Sequence, residues 1–190
     1  MEQWMNNLAA LVPYYDAEGG NATVIYTTEG KIEQDPRTVK WNLRRLARLY
    51  CVDLEAARQL YGGYLECGQG VPIPFTPRLV LVPLKVRRAV GKNDGSSGYF
   101  NPAVVEVLPQ SAAETRSILI LPGEQRIPCY YTARTVKKRL KAGQFVLECY
   151  SKRAAFGDNA VTDSANMQRA CDRVLERLIM NILRGVDTPQ

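Results

Sequence analysis

The sequence predicts an α+β domain: antiparallel strands from about Ala22 to Tyr150, helices packed at one side, and a long amphipathic helix at the C-terminus. Two observations carry this. Short β-branched and apolar runs come in pairs around Gly-bearing turns, as hairpins do. Other stretches place apolar residues at helical spacing. No Pro/Gly/Ser-rich linker divides residues 1–190, so a single domain is expected.

In chain order, Met1–Val12 spaces Trp4, Met5, Leu8, Leu11 and Val12 as a short amphipathic helix, ended by Pro13 and Glu18-Gly19-Gly20-Asn21. Ala22–Thr28 alternates as a strand, and the turn Glu29-Gly30-Lys31 leads to a partner strand at Ile32. Thr38–Tyr50 aligns Val39, Leu43, Leu46 and Tyr50 on one stripe and Lys40, Arg44 and Arg48 on the next, with Arg45 close by. Asp53 is an N-cap for a second helix, Leu54–Tyr61, which Gly62-Gly63 would stop. The pair fits a helix-turn-helix, and it fits any helical hairpin equally.

Leu79–Val86 and Tyr99–Leu108 read as two strands around the polar segment Gly91–Gly98. Lys85, Arg87 and Arg88 approach that loop and Lys92 lies in it. A long hairpin with a cationic tip suits insertion into a nucleic-acid groove, and it equally suits an edge protected from aggregation. Ser117–Leu121 and Arg126–Tyr131 form a second strand–turn–strand unit. Thr132 caps a helix, Ala133–Ala142, closed by Gly143, and Phe145–Tyr150 reads as a further strand. That helix carries Arg134, Lys137, Lys138, Arg139 and Lys141 without an acid, a like-charge cost that a polyanion would relieve. Lys152 and Arg153 extend the basic area. Ser164–Leu183 has a broad apolar stripe from Met167 to Ile182, suited to core packing or to the seam of a homo-oligomer.

Composition narrows the function classes. Hydrophobic residues make up 46% and charged residues 23%, which argues against wholesale disorder. No run of about 18 apolar residues is present, so no membrane partner is expected. The N-terminus lacks a basic leader before its apolar patch, and a cytoplasmic location is expected. The five cysteines are scattered, with no C-x-x-C pair, and are expected to stay reduced. Histidine is absent. That removes the usual zinc geometries, the Ser-His and Cys-His couples and the commonest neutral-pH base. No Walker loop or dinucleotide-binding glycine motif occurs. The expectation is a protein that is not an enzyme, with no metal, no cofactor and no small-molecule substrate.

Charge is more informative. Residues 1–35 hold six acids against one base, while residues 36–157 hold twenty bases and eight acids, a net of +12. A basic middle is the footprint of a polyanion partner, with salt-dependent phosphate contacts. The candidate ligands of double-stranded DNA are Lys85, Arg87, Arg88 and Lys92 of the hairpin, Lys40, Arg44, Arg45 and Arg48 of the first basic helix, and Arg134, Lys137, Lys138 and Lys141 of the second. Arg87 and Arg88 are placed to enter a groove, the helices to grip flanking phosphates. Two rivals remain. Ten tyrosines, Tyr130-Tyr131 beside Arg134 among them, suit a single-strand or RNA binder. A protein-interaction module with an acidic partner is the other.

The order of features resembles the ComK competence transcription factors. A strand and the turn Glu29-Gly30-Lys31 come first, then Arg48-Leu49-Tyr50-Cys51, Ala57-Arg58, and Val71-Pro72-Ile73. Leu81-Val82-Pro83-Leu84 and then Tyr99, after the variable loop, complete the series. Ala57 stands where the family usually has glycine and Tyr99 where tryptophan is common, which marks a divergent member. The resemblance spans roughly Ala22–Leu140. It implies a transcriptional regulator that binds AT-rich duplex, largely from the minor groove, as an oligomer. The candidate ligands above come from charge and placement, not from the resemblance.

Overall fold

The apolar run near the N-terminus, expected as a helix, is a strand. The computed structural model describes residues 3–91, 94–109 and 116–155. In it a 3-10 turn, Gln3–Met5, leads into β1, Leu8–Tyr15. β1 lies inside an antiparallel sheet, between β2 (Asn21–Thr27) and β6 (Ser97–Phe100). Both of its faces are covered, and every residue from Leu8 to Pro13 is buried. A strand buried on both faces is apolar throughout and cannot be told from a buried helix by periodicity. A bulge between Leu8 and Ala10 adds to the resemblance, because it puts Leu8 and Leu11, three residues apart, into the same core cluster. Pro13 does not end the element. It sits within β1 opposite Thr23, beyond the stretch where β6 pairs on the other side.

The fold is α+β. The larger sheet has six strands in the order β3-β2-β1-β6-β5-β4, with β3 at Ile32–Asp35, β4 at Ile73–Thr76 and β5 at Leu79–Lys85. A smaller sheet has three, β7 (Glu106–Pro109), β8 (Ser117–Leu121) and β9 (Gln125–Cys129), in sequence order. The hairpin expected around Gly91–Gly98 is present but shorter: Val82 to Lys85 pair with Phe100 to Ser97. The second run, expected to reach Leu108, breaks at Asn101. Its buried amide donates to Leu8 O at 3.2 Å and accepts from Ala103 N at 3.0 Å, turning the chain away before Pro102. The remainder, β7, belongs to the smaller sheet.

Helix α1, Val39–Leu49, lies on one face of the larger sheet. Its Val39, Leu43, Leu46 and Ala47 join Leu11, Ile25, Ile73, Phe75 and Leu81 in one core cluster. The opposite face packs Val82, Leu84 and Phe100 against Leu119, Leu121 and Ile127 of the smaller sheet and Val136 and Leu140 of α3, Ala133–Ala155. Helix α2, Leu54–Tyr64, closes a third cluster in which its Tyr61 meets Val80 of β5 and Phe145 and Val146 of α3. Burial there pushes the Tyr61 hydroxyl up to about 12. Each of these three helices has a side-chain N-cap. Thr38 accepts from Trp41 N, Asp53 from Glu55 N and Ala56 N, and Thr132 from Thr135 N.

Two expected helix stops are not stops. α2 runs through Gly62-Gly63 to Tyr64, and the chain then folds back so that Cys67 N donates to Gly62 O. A side chain at Gly62 would meet the Cys67 carbonyl. α3 runs through Gly143, which is buried where the helix approaches β5; a β-carbon there would overlap Val82 and crowd Pro102. Both glycines serve close approach rather than termination. Phe145–Tyr150 is therefore helix, not strand: Phe145, Val146 and Cys149 fall at helical spacing on its buried side. The expected helix Ser164–Leu183 lies outside the described residues. Among those described, no helix is long and apolar enough to cross a membrane.

Candidate nucleic-acid interface

β1 and β5 flank β6 and are each antiparallel to it, so both run the same way. The β1–β2 turn and the β5–β6 loop consequently leave the sheet at one end. The β9–α3 junction is tied to that end as well, because Tyr130 N donates to Lys85 O at 2.8 Å. Ser117 Oγ donates to Tyr131 O at 2.9 Å and fixes the start of β8 beside it. Thus Lys85, Arg87, Arg88, Arg116 and Arg134, dispersed over fifty residues, are gathered by topology at one end of the fold.

The loop that follows β5 is organised around Arg87 and Asp94. Arg87 Nε donates to Gly95 O at 2.8 Å, and Nη2 donates to Asn21 Oδ1 at 2.6 Å. Its guanidinium lies 4.1 Å from the centre of the Tyr15 ring. Its Nη1 is buried without a hydrogen-bond partner among the described residues. The Tyr15 hydroxyl in turn donates to Asp94 Oδ2 at 2.6 Å and accepts from Val90 N at 2.9 Å. Gly91 N also donates to that carboxylate oxygen. The Tyr15 hydroxyl, then the Gly91 amide, hold the Asp94 carboxyl below its ordinary value. Arg87 is therefore half-buried and engaged with the protein, whereas Arg88 and Lys85 are exposed. Lys92 lies outside the described residues.

On α1 the expected stripe is present. Lys40, Arg44 and Arg48 are exposed on the side away from the sheet. Arg45 is half-buried, its guanidinium 5.4 Å from the Trp41 ring centre, and Arg37 covers the same ring at 3.9 Å. Arg37 also grips Asp35 with Nε and Nη2, at 2.7 and 2.8 Å. Burial pushes the Asp35 carboxyl up, but the bonds and charge of Arg37 outweigh this and hold it low. On α3, Arg134, Lys137, Lys138 and Lys141 are exposed, while Val136 and Leu140 face the core. Arg139 is half-buried, its guanidinium 4.6 Å from the Tyr131 ring centre. Among the described residues no carboxylate pairs with Lys40, Arg44, Arg48, Lys85, Arg88, Arg134, Lys137, Lys138 or Lys141.

The candidate cations accordingly form a basic end and two basic helix faces. Lys85, Arg88 and Arg134 belong to the end, with α3 leading away from it. The α1 stripe lies on the opposite side of the larger sheet from α3. Arg116 escaped the sequence reading. It is exposed at the start of β8, with its guanidinium 4.8 Å from the Tyr130 ring centre. Only the pairing of β8 with β9 brings it there, and no local pattern marks it.

Cys51, Cys67, Cys129 and Cys149 are thiols, the last two buried. No group of metal-ligating side chains occurs among the described residues. No family model, no curated protein and no solved structure matches this chain.

Proposed function

We propose that the chain is a regulator of the ComK kind that binds AT-rich duplex DNA, largely from the minor groove and as an oligomer in the cytoplasm. The observation that carries this reading is the convergence of Lys85, Arg88, Arg116 and Arg134, from three separate segments, at one end of the sheet. Arg88, exposed on the β5–β6 loop, enters the groove, where A·T tracts concentrate negative potential. Arg87 shapes the loop behind it through Gly95, Asn21 and Tyr15. Arg134, Lys137, Lys138 and Lys141 grip phosphates alongside.

The aromatic residues at this end favour duplex over single strand. Tyr15, Tyr130 and Tyr131 each have a guanidinium over the ring, from Arg87, Arg116 and Arg139. A base stacking on those faces would have to displace an arginine already in place.

The test is fluorescence anisotropy with AT-rich duplex, GC-rich duplex and a single strand, each at low and near-physiological salt. Preference for AT-rich duplex that persists at the higher salt is the expected result. Equal weak binding of all three that vanishes with salt would leave only a basic surface.

A further inference from the structure

Resting on the DNA-binding reading, we propose that a single protomer holds two duplexes at once, one on the α3 side and one on α1, and so bridges DNA segments. The two basic stripes face opposite ways. Val39, Leu43, Leu46 and Ala47 of α1 are packed toward Leu11, Ile25 and Leu81, so Lys40, Arg44 and Arg48 point outward from that face. Val136 and Leu140 of α3 are packed toward Val82, Leu84 and Phe100, on the other face of the same strands. Arg134, Lys137, Lys138 and Lys141 therefore point outward in the opposite sense.

Helix-on-sheet and sheet-on-sheet layers stack about 10 Å apart, so the two helix axes are roughly 20 Å apart across the sheet. Their outward side chains are farther apart still. That separation exceeds the Debye length of about 8 Å at physiological salt, so the two stripes do not act as one field. A single duplex cannot serve both. With a persistence length of about 50 nm, bending even 20–30 base pairs by 40–90° is costly, and reaching both faces requires a reversal of direction. Each stripe also lacks a carboxylate partner among the described residues, so neither is neutralised within the chain. The exposed cations recur at i, i+4 and i+8 on α1, which follows a line of phosphates rather than a point anion.

The experiment uses the full chain, a bead-bound AT-rich duplex and a fluorescent duplex of the same sequence added afterwards. Recovery of the fluorescent duplex on protein-loaded beads is expected. In K40Q/R44Q/R48Q the bead-bound duplex still retains the protein through α3, with an unchanged salt slope, while the second duplex is recovered roughly tenfold less or worse. The α3 variant K137Q/K138Q/K141Q is expected to lose the second duplex in the same way. These side chains are exposed, and unchanged thermal melting confirms that each variant is folded. Mixing the two variants separates bridging by one protomer from bridging by a pair. At a protein concentration where sedimentation finds the unbound chain monomeric, continued loss in the mixture supports two sites on one chain, and restored recovery overturns it. Retention of the first duplex without capture of the second by the wild type also overturns it. Failure to retain even the first duplex is a different result, and it removes the DNA-binding reading itself.

Discussion

At Gly143 the absence of a side chain decides how closely α3 approaches β5. Alanine is worth about 0.8–1 kcal/mol over glycine in a helix interior. Here its methyl would overlap Val82, a fully buried β-branched side chain, and press on the ring of Pro102. Overpacking of this kind costs about 1–3 kcal/mol, so G143A is expected to lower the melting temperature despite its better helix propensity. A rise on thermal unfolding would mean that the helix can move outward freely. Burial acts on the thiols in a comparable way. It pushes the Cys129 thiol up, and Cys149 is also buried, while Cys51 is exposed. Peptide mapping after brief alkylation of the folded protein is expected to find Cys51 modified and Cys129 and Cys149 protected until denaturant is added. Arg87 and Arg88, adjacent in sequence, should differ just as clearly. R87A removes the bonds to Gly95 and Asn21 and should speed amide exchange of Val90 and Gly91 in the loop. R88A should leave exchange unchanged and relax the preference for A·T sequence.

The β5–β6 loop depends on one ionised carboxylate. Asp94 accepts from Tyr15 and Gly91, and these bonds hold its carboxyl below the ordinary value of 3.8. A depressed pKa means that the contribution to loop order is fully present above 3.8 and is lost as pH falls through the lower folded value. Amide exchange at Val90 and Gly91 is thus expected to stay slow on acidification to the ordinary carboxylate value and to quicken only below it. Quickening well above it would show that the Tyr15–Asp94 bond does not organise the loop. Helix α3 has its own terminal determinant, since Thr132 Oγ1 accepts from Thr135 N at 3.2 Å. T132A should cost about 1 kcal/mol on denaturant unfolding.

Across the fold, two kinds of basic contact should separate experimentally. K138A removes an outward cation on α3 and, on the DNA-binding proposal, should weaken every duplex about equally, lowering the salt slope by about 1. R88A, at the sheet end, should act on A·T-rich sites more than on others. If both variants weaken every sequence alike, the division between groove and phosphate contacts falls.

Much of this was legible from local chemistry. Asp53 and Thr132 were readable as caps because a cap needs only its own hydroxyl or carboxylate and the next turn of backbone. The turn at Glu29-Gly30-Lys31 and the hairpin around Gly91–Gly98 were readable because glycine-bearing polar breaks between apolar runs are local signals. The outward cations of α1 and α3 were readable because helical spacing fixes which residues share a face. Others were not. β1 looked helical because it is buried on both faces, and only the sheet supplies its hydrogen-bond partners. Gly62 and Gly143 looked like helix stops because nothing local distinguishes a terminating glycine from one that admits a neighbour.

What the sequence determined by itself is therefore the set of elements whose signals act within a turn or two, and the basic character of the middle of the chain. The tertiary structure alone decided where those elements meet. It placed Arg116 beside Tyr130, drew Lys85 to the start of α3, turned Arg87 inward onto Tyr15, and set α1 and α3 on opposite faces of one sheet. The reason is physical. Strand pairing is chosen by burial of both sheet faces against the rest of the chain, and no residue carries that choice in its neighbours.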